Sequence, residues 1–101
     1  MTIDRSRLKA LMSREVREFR RSHPKSAALF ASARRSMLGG VPMNWMSKWP
    51  GGFPVFVARA QGARFTDEDG REYVDLCLGD TGAMTGHAPA AAVKAITARI
   101  R

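Results

Sequence analysis

The stretch GARFTDEDGREYVDLCLGDTGAMTGHAPAAAVKAI (residues 62–96) decides the fold of this 101-residue chain. It predicts a β-hairpin, then a polar loop that contains three glycines, then a helix that begins near a proline. Glycine allows backbone conformations that a Cβ would forbid, and a polar loop between two rigid elements is a common place for a binding site. An ordinary strand-to-helix connection explains the same pattern, and the local sequence alone favours that simpler interpretation.

Three short strands are predicted in this part of the chain, at residues 55–60, 64–66 and 72–78. The residues DEDG (67–70) predict a tight turn between the second and third strands, since Asp favours the start of such a turn and Gly its end. Alternation along the third strand creates one apolar face, and a three-stranded meander with such a face needs a cover. That face consists of Val74, Leu76 and Leu78.

The N-terminal part predicts two helices. The first covers residues 4–20, with Asp4 as its N-cap, and apolar residues recur along it at steps of three and four. His23 precedes a proline, which ends this helix and starts the next at Pro24. Gly39 and Gly40 predict the end of the second helix. We expect His23 to have a capping or surface role. The apolar stripe of the first helix comprises Leu8, Leu11, Met12, Val16 and Phe19.

Residues 39–54 are too rich in glycine and proline for regular structure, yet they include two tryptophans. Large aromatic side chains on a loop either pack on a core or line a pocket, and core packing is the commoner outcome. The sequence therefore predicts three parts: a helical arm at 1–38, a Gly/Pro/Trp loop at 39–54, and the meander, polar loop and last helix at 55–101. The apolar pattern of that helix is still running at Arg101, so we expect the chain to be truncated there.

The net charge is +8, and much of the excess lies in the N-terminal helices. Such a face can attract phosphate backbones or another acidic surface. A solvated helix face is the favoured interpretation, because no nucleic-acid-binding motif accompanies the charge. The sequence contains no apolar run as long as a membrane span and no secretory signal, so we expect a cytoplasmic protein that does not bind membranes.

Cys77 is the only cysteine, which excludes an internal disulfide and a multi-cysteine zinc site. Its apolar neighbours predict a small buried residue. The sequence lacks a Walker loop, a Rossmann fingerprint, an HExxH motif and a GxSxG motif. Asp80 and His87 lie on one loop and could meet, but such a pair is weak evidence. We therefore identify no complete active site and no catalytic residue from the residues alone.

The order of motifs nevertheless resembles the N-terminal segment of class III pyridoxal-phosphate (PLP)-dependent aminotransferases. The similarity covers roughly residues 26–101 and is closest to the branch of glutamate-1-semialdehyde aminomutase and its aminotransferase relatives. Its most specific part is D-x-D-G-x-x-Y-x-D (residues 67–75) followed by G-H-x-P (86–89). Further pieces are LF-x-x-A (29–33), GGV (39–41) and G-x-P-x-F-x-x-x-A-x-G (52–62).

The resemblance implies the front end of a fold-type-I homodimeric enzyme several hundred residues long, built here as an α+β segment with a helical arm, a three-stranded antiparallel meander and the start of a helix. PLP would serve as the cofactor, acting as an electron sink. Its Schiff-base lysine and phosphate loop would come later in the chain, since Lys9, Lys25, Lys48 and Lys94 match no catalytic position. Loops 42–49 and 79–87 would lie near the substrate entrance. The implied substrate-binding residues are Asn44, Trp45, Asp80, Thr81, Gly82 and His87.

Two departures from the aminomutase pattern concern these loops. Aminomutases typically have Ser-Trp-Gly after the third strand, where this chain has Asp80-Thr81-Gly82. They also carry a carboxylate-binding arginine after GGV, where this chain reads MNWM (43–46). The resemblance therefore implies an aminotransferase that moves an amino group between an amino acid and an oxo acid or aldehyde, with a different donor or a β-amino substrate. The alternatives are a glutamate-1-semialdehyde 2,1-aminomutase and, in another class, a basic nucleic-acid-binding module without catalysis.

Overall fold

The computed structural model describes residues 3–48, 51–79 and 82–100. The chain divides into two compact units, Met1–Phe56 and Val57–Arg101. The described residues form three α-helices and a three-stranded antiparallel sheet, which confirms the predicted fold class. The elements are α1 (Arg5–Ser22), α2 (Pro24–Ala33), β1 (Val57–Gln61), β2 (Arg64–Asp67), β3 (Glu72–Val74) and α3 (Ala90–Ile100).

Helix α1 begins where the sequence predicts. The carboxylate of Asp4 accepts hydrogen bonds from the backbone N–H groups of Ser6 and Arg7, each at 3.0 Å, as an N-cap does. The Ser6 hydroxyl also donates to this carboxylate, and these bonds hold the pKa of Asp4 below its ordinary value. Most of the apolar stripe of α1 lies exposed within this unit, because nothing in the described residues covers it.

His23 is the residue that joins α1 to α2. Pro24 opens α2 as predicted, and His23 occupies the C-cap of α1. A surface position for His23 is wrong, since the residue is buried. Its Nδ1 lies 2.8 Å from the Phe19 carbonyl oxygen, and because a carbonyl only accepts, Nδ1 carries the proton. The imidazole also stacks on the Phe19 ring, with centroids 4.3 Å apart, so the histidine helps to close the helix end.

A small aromatic cluster forms the centre of the first unit. Phe53 packs against Phe19 and Phe30, with ring centroids 4.9 and 6.4 Å apart. The buried hydroxyl of Ser26 on α2 accepts a hydrogen bond from the N–H of Phe56 at 3.2 Å. These contacts tie the end of the Gly/Pro/Trp loop back to the two helices. Trp45, by contrast, is 43% exposed, so the predicted core packing of this aromatic is not found within the unit.

The segment after α2 differs from the prediction in two ways. Helix α2 ends at Ala33, before the two glycines, because residues 34–37 form hydrogen-bonded turns. The loop 39–54 also contains regular structure, as 3₁₀ turns span Leu38–Gly40 and Asn44–Lys48. Such turns need only three or four residues, so a Gly/Pro-rich stretch can form them. The division into 1–38, 39–54 and 55–101 stays a prediction.

In the second unit, β1, β2 and β3 form a meander in sequence order. Strands β1 and β2 turn tightly at Gly62, and their pairing contains a bulge near Val57. In the β2–β3 pair Phe65 lies opposite Tyr73, and their rings stack with centroids 4.8 Å apart. Cross-strand aromatic pairs of this kind stabilise a sheet, so this stack fixes the register of the two short strands.

Asp67 closes the predicted turn between β2 and β3. Its carbonyl accepts the N–H of Gly70 at 3.0 Å, which confirms the turn. Its carboxylate is almost fully buried, with 1% of the residue exposed, and it accepts the N–H of Arg71 at 2.7 Å and the hydroxyl of Tyr73 at 2.9 Å. A buried carboxylate needs such partners, because an unsatisfied charge in this position would be costly.

The third strand is shorter than predicted. Strand β3 ends at Val74, because the carboxylate of Asp75 accepts the N–H groups of Cys77 and Leu78 and bends the chain there. Because β3 ends at Val74, Leu76 and Leu78 do not continue a strand face with it, so the predicted apolar face of these three residues is wrong. The prediction of a buried Cys77 is also wrong, since the residue is exposed.

Buried apolar side chains are scarce. Among the described residues, Val41 is the only hydrophobic residue that is buried. The exposed apolar side chains of the second unit include Val74 in the sheet and three residues of α3, namely Val93, Ile96 and Ile100. Hydrogen bonds and ring stacks therefore hold each unit together more than a hydrophobic core does. None of the helices in the described ranges is long and apolar enough to cross a membrane.

The buried contact between Tyr73 and Asp67 predicts a pH dependence. Burial and the neighbouring carboxylate raise the pKa of Tyr73 from 10.0 to about 12. Because the folded-state pKa is raised, this tyrosine stabilises the fold fully below pH 10 and loses its contribution as the pH rises from 10 to about 12. Tyr73 is the only tyrosine, so its phenolate absorbance can be titrated directly.

We expect Asp67→Asn to lower the titration midpoint of Tyr73 part of the way towards 10.0, since burial remains. Asp69→Asn removes a charge from the same turn but should shift the midpoint less, because Asp69 is only a minor cause of the raised pKa. Equal shifts in the two variants would contradict the assigned contact.

Candidate functional site

The connection between β3 and α3 is organised around one side-chain contact. We define the β3–α3 connection as residues 75–88, of which the structure describes 75–79 and 82–88. The Asp75 carboxylate accepts the N–H groups of Cys77 at 3.0 Å and Leu78 at 2.7 Å through Oδ1. Its second oxygen, Oδ2, lies 2.6 Å from Nε2 of His87. One carboxylate therefore ties the start of the connection to its end, twelve residues later.

The backbone of His87, like its ring, forms hydrogen bonds. Its N–H donates to the Gly62 carbonyl at 2.8 Å, and its own carbonyl accepts the Gly62 N–H at 2.9 Å. At the other end of the connection, the N–H of Asp75 donates to the carbonyl of Ala63 at 2.8 Å. Both ends of the β3–α3 connection are thus anchored on neighbouring residues of the β1–β2 turn.

The charge state of the pair follows from this geometry. The bond from the His87 ring and the two backbone N–H groups hold the pKa of Asp75 below its ordinary value, so it is a carboxylate at neutral pH. A carboxylate only accepts hydrogen bonds, so Nε2 of His87 carries a proton. Nδ1 has no hydrogen-bond partner within the described residues. Both side chains are mostly buried, with 25% of His87 and 15% of Asp75 exposed.

Two residues without glycine's freedom adopt left-handed backbone conformations at the ends of the connection. Leu78 has φ +53° and Ala88 has φ +48°. Each such residue costs about 1–2 kcal/mol, so neighbouring contacts must hold it in place. Leu78 donates its N–H to Asp75, and Ala88 directly follows His87. The strained positions therefore coincide with the two ends of the Asp75–His87 contact.

The structure places only some of the predicted site residues in this connection. Gly82 donates its N–H to the Gly79 carbonyl at 3.1 Å and is exposed. Asp80 and Thr81, including the suggested contact of Asp80 with His87, lie outside the described residues. Asn44 and Trp45 belong to the first unit, where they begin the exposed 3₁₀ turn Asn44–Lys48.

Sequence reasoning missed the role of Asp75. The apolar run around it predicted a strand residue, whereas the structure makes it the partner of His87. A signal was present, because Asp75 ends the D-x-D-G-x-x-Y-x-D motif and His87 belongs to the G-H-x-P motif. The two specific pieces of the resemblance are therefore joined by a hydrogen bond.

A shallow groove of about 460 Å³ lies on the meander itself. Its lining includes two arginines, Arg59 and Arg64, together with Glu72 and Phe65. Alternation along the paired strands puts the two arginines and the glutamate on one face of the sheet. The groove therefore presents both signs of charge to solvent.

The described residues do not fit a PLP site or a metal site. Lys9, Lys25, Lys48 and Lys94 are all exposed, and the groove on the meander contains no lysine. Within the described ranges no three His, Cys, Asp or Glu side chains gather in a way that could hold a metal ion. The chemistry of this part of the chain is hydrogen bonding and positioning.

The close approach of Gly86 to the β1–β2 turn predicts a strict requirement for glycine. Gly86 has φ +88°, and a Cβ there would lie 3.1 Å from the Cα of Gly62. Gly70→Ala is the matched control, because Gly70 has φ +84° but open space around it. We expect Gly86→Ala to cost about 1–3 kcal/mol more unfolding free energy than the control, since backbone must move as well as adopt a strained φ.

Urea unfolding of the two glycine variants measures this difference. Loss of slow amide exchange at Gly62 and His87 should accompany Gly86→Ala alone. Equal destabilisation of both variants would show that the positive φ, and not the contact with Gly62, sets the cost.

The curated proteins that the chain matches include several with the same name. No protein-family model matches the chain. The chain is 46% identical over 76 residues to the glutamate-1-semialdehyde 2,1-aminomutase of Sorangium cellulosum, covering 72% of this chain and 17% of the relative. It is 37% identical over 76 residues to glutamate-1-semialdehyde 2,1-aminomutase 1 of Cenarchaeum symbiosum, covering 75% of this chain and 18% of the relative. The chain thus spans less than a fifth of the length of these curated relatives.

Solved structures agree with this result. A glutamate-1-semialdehyde aminomutase from Pseudomonas aeruginosa, solved in complex with PMP, is 48% identical with a TM-score of 0.89, and the match covers all of this chain and 22% of that one. A β-phenylalanine aminotransferase from Variovorax paradoxus is 28% identical with a TM-score of 0.73, over 80% of this chain and 18% of that one. The observed helices and meander match the N-terminal region of such structures, and the chain therefore belongs to the class III PLP-dependent aminotransferase family, in its glutamate-1-semialdehyde aminomutase-like branch.

Proposed function

We propose that this chain is the N-terminal part of a PLP-dependent class III aminotransferase, which transfers an amino group between an amino acid and an oxo acid or aldehyde. The observation that carries the proposal is the match of the whole described fold to an aminomutase solved with PMP. The cofactor would be held by parts of the longer protein outside this chain, because the described residues do not form its site. A homodimer remains a prediction of the family resemblance, and a cytoplasmic location remains a prediction from the sequence itself.

In this proposal two loops contribute to substrate recognition. One is the 3₁₀ turn that begins with Asn44 and Trp45, and the exposed indole offers a flat apolar surface to a small substrate. The other is the β3–α3 connection, whose exposed positions include Gly82. The full proposed set of substrate-binding residues is Asn44, Trp45, Asp80, Thr81, Gly82 and His87.

A second candidate is a glutamate-1-semialdehyde 2,1-aminomutase. Sequence identity favours it, since the chain is 48% identical to one aminomutase over its whole length and 28% identical to the β-phenylalanine aminotransferase over 80% of it. The loop departures favour the aminotransferase, because MNWM (43–46) contains no arginine for a substrate carboxylate. A nucleic-acid-binding module is not supported by any observation beyond the basic face of α1.

The two reactions differ in their need for a second substrate. A 2,1-aminomutase moves the amino group within one molecule, so glutamate-1-semialdehyde alone should be consumed. An aminotransferase needs an amino donor and a separate oxo acid, which becomes the new amine. The full-length protein, purified with PLP, is incubated with the semialdehyde alone and with panels of α- and β-amino acids plus an oxo acid, and the products are separated by chromatography.

We expect turnover that depends on the oxo acid. Turnover of the semialdehyde without any acceptor would favour the aminomutase, and a protein that binds PLP but converts neither set would overturn both proposals.

A substitution in the first loop tests the site assignment. Trp45→Ala should raise KM for the amino substrate about tenfold, equivalent to roughly 1.4 kcal/mol, because an aromatic contact of about that size is lost. Leu38→Ala is the control, since Leu38 is 88% exposed and lies in the neighbouring 3₁₀ turn. An unchanged KM in a folded Trp45→Ala variant would remove Trp45 from the substrate-binding residues.

A further inference from the structure

We propose that Asp75 and His87 are a positioning pair, whose contact holds residues 75–79 and 82–88 of the β3–α3 connection in the conformation that recognises substrate. Beyond its place among the proposed substrate-binding residues, His87 acts by positioning the connection, and its ring neither reacts nor transfers a proton. This inference rests on the proposed function for its substrate, but the arrangement of the pair can be tested separately.

A closed path of contacts lies at the base of the connection. Asp75 is bound to Ala63 through its N–H, and His87 is bound to Gly62 through both its N–H and its carbonyl. The 2.6 Å contact between Oδ2 and Nε2 joins the two ends to each other. Neighbouring residues of one turn therefore anchor both ends, so the pair can fix the connection without a hydrophobic core beneath it.

The base of the connection differs in exposure from the other described residues of the connection. The Asp75 and His87 side chains are mostly buried, whereas Met84 is 73% exposed and Thr85 is exposed. Ala83 donates its N–H to the Leu78 carbonyl at 2.9 Å, so the described residues between the anchors also form backbone hydrogen bonds. A fixed base that presents an ordered, exposed segment is the arrangement that lowers the cost of ligand binding.

The backbone is strained at Leu78 and Ala88. Left-handed conformations at such residues persist only where surrounding contacts impose them, and they are concentrated at functional sites. Here Asp75 binds the N–H of Leu78 directly, and His87 precedes Ala88. A plain connection between a strand and a helix does not need two strained residues, so the strain points to a shape that is required for recognition.

The chemistry of the ring separates positioning from catalysis. Nε2 is engaged by Asp75 and the backbone of His87 is engaged by Gly62. A glutamine can place an N–H donor near Nε2 but cannot accept and release a proton at neutral pH. His87→Gln should therefore restore a positioning role and fail to restore a proton-transfer role.

The experiment uses the full-length protein with PLP and compares His87→Ala, His87→Gln and Asp75→Asn. Glu72→Gln is the control, because it removes one carboxylate from the neighbouring strand and has no contact with His87 among the described residues. For the amino substrate we expect His87→Ala to raise KM about tenfold with kcat changed less than about threefold, because recognition and not chemistry is weakened. His87→Gln should return KM to within about threefold of the wild type.

Amide exchange provides a readout that does not need activity. The N–H groups of Gly62, Ala83 and Gly86 should exchange faster in His87→Ala, and His87→Gln should slow them again. If His87→Ala does not fold, Asp75→Asn takes its place, since the amide oxygen can still accept from Cys77 and Leu78. We expect Asp75→Asn to raise KM and speed exchange less than His87→Ala does.

Three results would overturn the proposal. They are unchanged exchange and KM in a folded His87→Ala variant, a fall in kcat at constant KM that His87→Gln does not rescue, and equal effects of Glu72→Gln. If the wild-type protein shows no amino transfer at all, the proposed function fails while exchange still decides the positioning role: faster exchange in His87→Ala supports it, and unchanged exchange overturns it.

Discussion

The hydrogen bond between Asp75 and His87 is the interaction on which the second unit depends. It joins two sequence motifs through residues that lie twelve positions apart, at an Oδ2–Nε2 distance of 2.6 Å. Both partners are also bound to the β1–β2 turn through their backbones. Without the contact, the turn at Asp75 and the bridge at His87 would each have to hold the connection independently.

Asp67, which belongs to the same D-x-D-G-x-x-Y-x-D motif as Asp75, stabilises the preceding turn in a similar way. Asp67 is almost completely buried and binds the Arg71 N–H and the Tyr73 hydroxyl, so it fixes the β2–β3 turn. Polar contacts are used in this way because few apolar side chains are buried in the unit. A hydrogen bond to a charged group contributes more than a neutral one, provided that its buried partners are satisfied, as all buried side-chain nitrogen and oxygen atoms in the described ranges are.

Local signals in the sequence predicted the parts of the fold that local chemistry controls. Asp4 as a cap, Pro24 as a helix start and the DEDG turn all depend on residues within a few positions of one another. The end of β3 could not be predicted by periodicity, because Leu76 and Leu78 continue the alternation while Asp75 bends the backbone. Periodicity also could not predict the contact of Asp75 with His87, since that contact depends on how the connection folds back on the β1–β2 turn.

The exposed apolar side chains bear on how this region would work in the proposed enzyme. In each unit side-chain hydrogen bonds and ring stacks determine the local structure, and apolar side chains such as Leu8 and Ile96 are exposed. Burial of apolar groups is what ordinarily stabilises a domain. Here the hydrogen bonds of the two aspartates determine the local backbone shape although little apolar area is buried. A recognition loop fixed at its base by charged hydrogen bonds keeps its shape independently of what covers those apolar faces. For this reason the effect of the positioning pair on the connection can be measured by amide exchange as well as by enzyme kinetics.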